Sequence, residues 1–589
     1  MKFRRMLGGI VPLLFVHVGS AWAISVTLNP SNPAPLPVGE RQTYTATARD
    51  AGGGEVWYRF RVRAEGGEFR LLRDFAPGAS IEWATLDGEG WYEVEVTART
   101  AGNPAEAVDV VSQELVPRVE PGGVAAVNPT PNALVWIFSA PACDPGFVAY
   151  VEFTREGGLP QLSSPRACDG VHSVNFYLAG LLQDATYAAR LMVNVEGLPV
   201  AGEAVGFHTG TVDEGELGIP ARRLLAGPAS PAYEGVVLNS PIGAPFYATD
   251  LSGNLIWYYP RPIGFITRPG LGGNFLSITW TNNPIRTEQV ARELDVAGIT
   301  LWETNAAIMS ERLQALGYPA TSGFHHDALR LPDGRILLLA GVEKRVPELD
   351  NKNVMGDMLI VVDNEMNIHW VWNSFDHMDV RKEAILGEMC LNNGACPPVF
   401  DGGSATDWLH TNSVQYTSDG NLLLSMRHLD WAVKVDFQDG FGSGAVLWRL
   451  GKDGDFQIDS ADAFPWFSHQ HDVGFLPGSD RYLLAFDNGN THRDVNPRAN
   501  SRGQLYELDQ EARTATLVMN ADLGGYSFAL GSAQRLRSEN YHFNNGWTVV
   551  GGQPASTAVE VDPSGRIVYA LESGAAVYRS FRMEDILTP

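Results

Sequence analysis

Positive charge is scarce in this chain of 589 residues, where 43 Lys and Arg face 68 Asp and Glu for a formal net charge of -25. A surface of that sign repels nucleic acid and anionic membrane, which argues against a DNA, RNA or membrane partner. Cysteine is scarcer still, with 4 residues in all. Neither Cys143 to Cys168 nor Cys390 to Cys396 has the C-x-x-C spacing of a thiolate metal or redox site, so two local disulfides are expected, although sequence alone permits three pairings. Beyond the amino end no stretch approaches the ~18 to 20 continuous apolar residues that a membrane span needs. Also missing are a GxSxG elbow, an HExxH helix, a Rossmann fingerprint, a c-type haem site and a GxxxxGK[ST] phosphate loop. These absences weigh against a serine hydrolase, a zinc protease, a dehydrogenase and the use of a nucleotide donor.

What is present begins with an export signal. Lys2, Arg4 and Arg5 precede an apolar run from Met6 to Val18 and then Ala21-Trp22-Ala23, an A-x-A cleavage site, so residues 1–23 read as a signal peptide with the mature chain starting at Ile24. The exported chain is expected to be soluble and to work in a periplasm or outside the cell. From 24 to 116, short alternating runs such as "EVWYRFRVRA" and "GWYEVEVTAR" between Gly, Pro and Asn predict an Ig-like β-sandwich. A second sandwich, of the fibronectin type III kind, is predicted over 117–212, with Leu181, Thr186 and Tyr187 placed as in a tyrosine corner.

The chain changes character past a polar connector at 212–224. An Asp-turn-strand unit recurs at Asp250, Asp295, Asp363, Asp436, Asp509 and Asp562, typically with an aromatic seven residues on. Six units with extra strands between them predict an all-β fold for 213–589, a six-bladed β-propeller, because a ring of sheets leaves only short exposed edges.

A second repeat places the chemistry. "HDALRLPDGRILLLAG" from His326, "NSVQYTSDGNLLLSM" from Asn412, "HDVGFLPGSDRYLLAF" from His471 and a strand from Ser532 align as the inner strands of their blades. Their first residues should converge on one mouth of the central channel. His410, two residues before Asn412, should face the same side. A lone strand histidine is more often structural than catalytic, and His325 and His469 read that way. Repetition at equivalent places in adjacent blades selects His326, His410 and His471 instead.

Three imidazoles suit a divalent metal, or a division of nucleophile, acid and base, or buried hydrogen bonding. Arg427, at the far end of the strand that Asn412 opens or in the turn after it, speaks against a metal and for an anionic substrate held by a guanidinium fork. The bland alternative pairs Arg427 with Asp430 at the surface. Arg493, Arg502 and Asn488 give weaker signals. Trp280, Phe324, Trp408 and Phe467 are candidate aromatic walls for a ring-bearing substrate.

"FHHDALRLPDG", "DWLHTNSVQYTSDGNLLLSMR", "FSHQHDVGFLP", "FDNGN" and "SRGQLYELD", in this order from about 225 to the end, resemble the bacterial arylsulfate sulfotransferases that use no nucleotide donor. That resemblance implies ping-pong transfer of a sulfuryl group from a phenolic sulfate ester to a phenol through a sulfohistidine, with no cofactor or metal. His471 would be the nucleophile, His326 and Arg427 would hold the sulfate, and His410 would neutralise the group or move the phenol's proton. Asn412, Arg502 and His325 would contact substrate, although the internal alignment favours His326 over His325. The chain departs from the family pattern in having two sandwich units and an insert, "FDHMDVRKEAILGEMCLNNGACPPVFDGGSATD", before His410. The residues do not decide between a monomer and a homodimer. The competing readings are a metal-dependent lyase or hydrolase on the three histidines, and a non-catalytic binding protein.

Overall fold

Aspartate explains the repeat. Each of the six Asp residues stands where the third strand of a sheet turns into the fourth, and its carboxylate accepts backbone N–H groups of the turn. Asp250 bonds Ser252 and Asn254. Asp363 bonds Glu365 and Asn367, and Asp562 bonds Ser564 and Arg566. Asp295 bonds Ile299, Asp436 bonds Ser443, and Asp509 bonds Glu511 and Ala512. The turn chemistry is local, which is why it shows in the sequence.

The computed structural model describes residues 24–49, 53–227, 235–261, 263–279, 284–391, 396–493 and 499–589. The export signal over 1–23 and the candidate wall residue Trp280 lie outside them. The described residues are all-β apart from short helical segments. Past residue 222 they form six sheets, each with four antiparallel strands and each starting on an inner strand. The inner strands are β1 (Phe265–Gly270), β2 (Gly323–Arg330), β3 (Thr411–Tyr416), β4 (His471–Phe475), β5 (Ser532–Arg535) and β6 (Val577–Met583). The sheet behind β6 takes its other three strands from 236–258, so the carboxyl-terminal strand pairs with the start of the region. Successive inner strands touch in the order β1 to β6, and β6 touches β1.

Residues 25–116 form two further sheets that share a core including Tyr44, Phe60, Trp83 and Val94. The next core, with Phe138, Phe153, Phe176 and Tyr187, belongs to residues 126–208. There the Tyr187 hydroxyl accepts the Leu182 N–H at 2.9 Å, the bond of a tyrosine corner. Both cysteine pairs are disulfides, Cys143–Cys168 and Cys390–Cys396. The first unit is fastened to the outer strand behind β1: buried Asp74 accepts from Thr304 and pairs with Arg312 at 2.8 Å, and Asn305 donates to the Phe75 carbonyl. Among the described residues no helix is long and apolar enough to cross a membrane.

Candidate active site

Five of the six inner strands are bulged at one level. An extra residue sits at Thr267 in β1, at Asn412 in β3, within Asp472–Val473 in β4 and at Tyr578 in β6. β2 holds two extra residues within His325–Asp327, while β5 is regular. A bulge breaks the period of two and re-aims the side chains around it. His326, His410, His469 and Asp472 also adopt left-handed backbone, with φ of 57°, 51°, 51° and 51°. Each such non-glycine residue costs about 1 to 3 kcal/mol, and strain of this kind concentrates where side chains must point in a fixed direction.

That direction is a cavity of about 510 Å³ lined by His326, His410, Arg427 and His471, with His428, Asp407 and Glu388 beside them. Its apolar wall is Ile242, Met389, Phe528, Ala529, Leu530 and Trp547. The ring centroids of His326 and His410 are 4.5 Å apart, and His410 stacks on His428 at 4.5 Å. Three histidines from adjacent sheets and the arginine therefore meet, as the repeat predicts.

Hydrogen bonds assign the proton of His471. Asn488 donates from Nδ2 to the carbonyls of Ser527 and Leu530, at 2.8 and 3.1 Å, which turns its Oδ1 toward His471 Nδ1 at 2.7 Å. An amide oxygen only accepts, so Nδ1 carries the hydrogen and Nε2 keeps its lone pair. Burial, with Arg427 next and His410 and Arg579 adding to it, holds the imidazole pKa well below its ordinary value. His471 is a neutral base with one nitrogen spoken for.

The neighbours are fixed in the same way. His410 Nδ1 donates to Asp407 Oδ2 at 2.7 Å. His428 Nδ1 donates to the Asp407 carbonyl at 2.8 Å while its Nε2 accepts from Arg427 Nη1 at 2.6 Å, and burial, His410 and Arg427 keep it neutral. Burial would also discharge His469, yet hydrogen bonds to Asp430 and Glu388 outweigh it and raise its pKa. His469 therefore bridges Glu388, at 2.6 Å, to Asp430, at 2.9 Å. Asp430 is thereby taken, and Arg427 instead donates to His428 and to the Phe528 carbonyl. One hydrogen on each Nη remains for a ligand, while Nε is buried.

Several expectations are corrected. Asn412 is buried and donates to the Gln470 carbonyl at 2.7 Å, so it braces the residue before His471 and does not line the cavity. His325 lies behind His326, sharing one proton between their Nδ1 atoms at 2.8 Å. Arg502 is on the third strand of its sheet, two strand spacings from β4, and pairs with Asp522. Phe324, Trp408 and Phe467 are core residues in three different clusters; Trp408 and Phe467 precede β3 and β4, so the period of two along those strands does not reach them. Phe528 and Trp547, with ring centroids 5.1 Å apart, form the aromatic wall instead. The insert contributes Glu388 and Met389, and Met389–Cys390 is held by pairing with Ala405–Asp407 and by the Cys390–Cys396 disulfide.

The geometry does not suit a metal. Among the described residues, the cluster with histidines whose ligand atoms all lie within 4.8 Å is Asp407, His410 and His428, not the three histidines that face the cavity. Both His428 nitrogens in it are already bonded, one to a guanidinium that repels a cation.

Comparison with known proteins gives one family and several distant folds. No curated protein matches the chain. Among solved structures, a two-domain fibronectin type III segment of chicken tenascin is 15% identical, with 31% of this chain and 98% of that one covered at a TM-score of 0.15. The FN1–FN3 domains of chicken CNTN1 are 10% identical, with 32% and 68% covered at a TM-score of 0.14. The family model described as "Arylsulfotransferase (ASST)" matches residues 229–579, a stretch holding every charged and imidazole side chain that faces the cavity. It covers more than half of the sequence, and on that length of agreement the chain belongs to the arylsulfotransferase (ASST) family.

Proposed function

We propose that this protein moves a sulfuryl group from a phenolic sulfate ester to a phenol by a ping-pong route through a sulfohistidine on His471. The observation that carries the reading is the Asn488 bond, which leaves the lone pair of a neutral imidazole on Nε2. Nε2 attacks the ester sulfur, the S–N bond forms as the S–O bond to the aryl group breaks, and the phenolate departs. In the second half the acceptor's oxygen attacks sulfur, the S–N bond breaks, and the phenolic proton passes to His410, which Asp407 orients through Nδ1. Arg427 and His326 hold the sulfuryl oxygens through both displacements. Positioning and charge stabilisation carry most of the acceleration, as in phosphoryl transfer.

The six sheets are read as blades of a six-bladed propeller over 213–589, supported by the cyclic contacts of β1 to β6, with Ig-like and fibronectin-III-like sandwiches over 24–116 and 117–212 before it. Two disulfides fit an exported, oxidising setting.

The deciding experiment is intact mass after brief mixing with 4-nitrophenyl sulfate, with and without chelator. One sulfuryl group gained on His471, insensitive to chelator and discharged by added phenol, is the expected result. No adduct and no nitrophenol would refute it.

The pH profile gives a further check. A depressed His471 pKa means the nucleophile is still unprotonated as pH falls through about 6.5, the ordinary imidazole value. The kcat/KM for the donor should stay flat through that range and decline only at lower pH. Trp547→Ala should raise the KM for the acceptor phenol about tenfold, the scale of a lost aromatic contact, with a much smaller change in the rate of His471 sulfation.

A further inference from the structure

The bulges converge on one side chain that does not line the cavity. Arg579, in β6 and 1% exposed, donates from Nη1 to the Thr267 carbonyl at 2.9 Å and from Nη2 to the Asn412 carbonyl at 2.8 Å. It also forks onto Asp327, Nη1 to Oδ1 at 3.1 Å and Nη2 to Oδ2 at 3.2 Å, and stands 3.8 Å from Asp472. Its targets are thus the bulge residues of β1, β2, β3 and β4, while the adjacent Tyr578 is the bulge residue of β6 and donates its hydroxyl to the same Asn412 carbonyl. Two of those targets, Asp327 and Asp472, directly follow His326 and His471. Arg268 shares both carboxylates, at 2.7 Å from Asp327 and 3.7 Å from Asp472.

We propose that Arg579 is the positioning residue that sets the aim of His326 and His471 together, by holding the bulges of their strands in one register. This rests on the reading of His471 as nucleophile. A bulge has no ladder partner for its extra residue, so its shape must be fixed from outside the sheet. A planar fork with five donors can hydrogen-bond three bulges at once while its charge stands beside the fourth; an ammonium cannot, since it offers a point charge without that geometry. A fully buried fork of this kind also has a bearing on charge. The groups facing His471 are Arg427, His410, His326, Arg579 and the Asn488 amide, and the guanidiniums among them favour the neutral imidazole.

Arg579→Lys keeps the charge and removes the fork. The burst of nitrophenol from 4-nitrophenyl sulfate, read by stopped flow, should slow about 100-fold, the scale of a misplacement near 1 Å. The KM for the donor should stay within about twofold, and the acid limb of the pH profile should not move, because the positive charge is retained. A burst at the parent rate, or a loss confined to KM, would overturn the proposal. Should the Lys variant fail to fold by circular dichroism, Asp472→Asn is read in the same assay. It is expected to slow the burst about tenfold, and an unchanged burst overturns the proposal equally. A parent enzyme that forms no adduct on His471 would refute the nucleophile assignment, whereas a normal parent adduct with undiminished variants refutes the role of Arg579 alone.

Discussion

His471→Ala is expected to abolish the covalent adduct and to lower aryl sulfate turnover by roughly 10⁶-fold, about 8 kcal/mol at 1.36 kcal/mol per tenfold, the scale on which other enzymes lose their nucleophile. The size follows from what the route asks of one atom. Nε2 must form the S–N bond in one half and release it in the other, and His326 and His410 line the cavity from other sheets, where the proposed route gives them the holding of oxygens and the phenolic proton, so neither is expected to replace it in line. Loss of folding is not expected to confuse the result, since His471 makes its side-chain bond to Asn488 alone, and Asn488 keeps its two carbonyl partners without it. Asn488→Leu supplies the complementary test. It should leave the ring in place but release the proton from Nδ1, and the adduct should form about 100-fold more slowly. Turnover by His471→Ala within tenfold of the parent would exclude a sulfohistidine.

How much of this was legible in the sequence depends on how local each cause is. The Asp turns announce the sheets because a carboxylate accepting N–H groups two to seven residues on is written within one short segment. The inner strands were legible from their own short turns, and with them His326 and His471, aligned with Asn412, and His410 two residues before it. The tyrosine corner at Tyr187 and the two disulfides are likewise short-range.

The rest depends on residues far apart in sequence. The bulges are not periodic features, and the expectation that Phe324 and Trp408 wall the site fails, since both pack in the core. Glu388 and Asp407 lie in an insert whose path could not be read, and His428 reaches the cavity from the 3₁₀ turn that Arg427 opens, off the strand repeat. The aromatic wall comes from Phe528 and Trp547, more than 50 residues past His471 and outside the aligned inner-strand segments that draw attention to the histidines. Tyr578 and Arg579 are the clearest example. They belong to the strand that closes the last sheet, which carries no entering His, Asn or Ser of the repeat, yet they touch the bulges of β1, β2 and β3.

Arg427→Met is expected to cost about 10³-fold in kcat/KM for the donor, the upper end of what one transition-state donor supplies in a site closed to water. Two effects of one sign add. The first is loss of the guanidinium donors facing the cavity, which act on sulfuryl oxygens whose charge shifts as the S–O bond breaks. The second is electrostatic: Arg427 follows burial as the cause that keeps His471 below its ordinary pKa, so without it the imidazole protonates more readily. The acid limb of the pH profile must therefore move toward neutral pH, a shift that a purely steric role would not produce. Arg427→Lys separates the two. A lysine ammonium keeps a cation near His471 and should leave the acid limb close to the parent's, but it cannot donate to His428 and to a sulfuryl oxygen with the planar geometry of the fork, so about 10²-fold of the loss should persist. If Met and Lys variants lose activity equally and share the parent's acid limb, Arg427 acts through packing and the anion-holding role assigned to it is wrong.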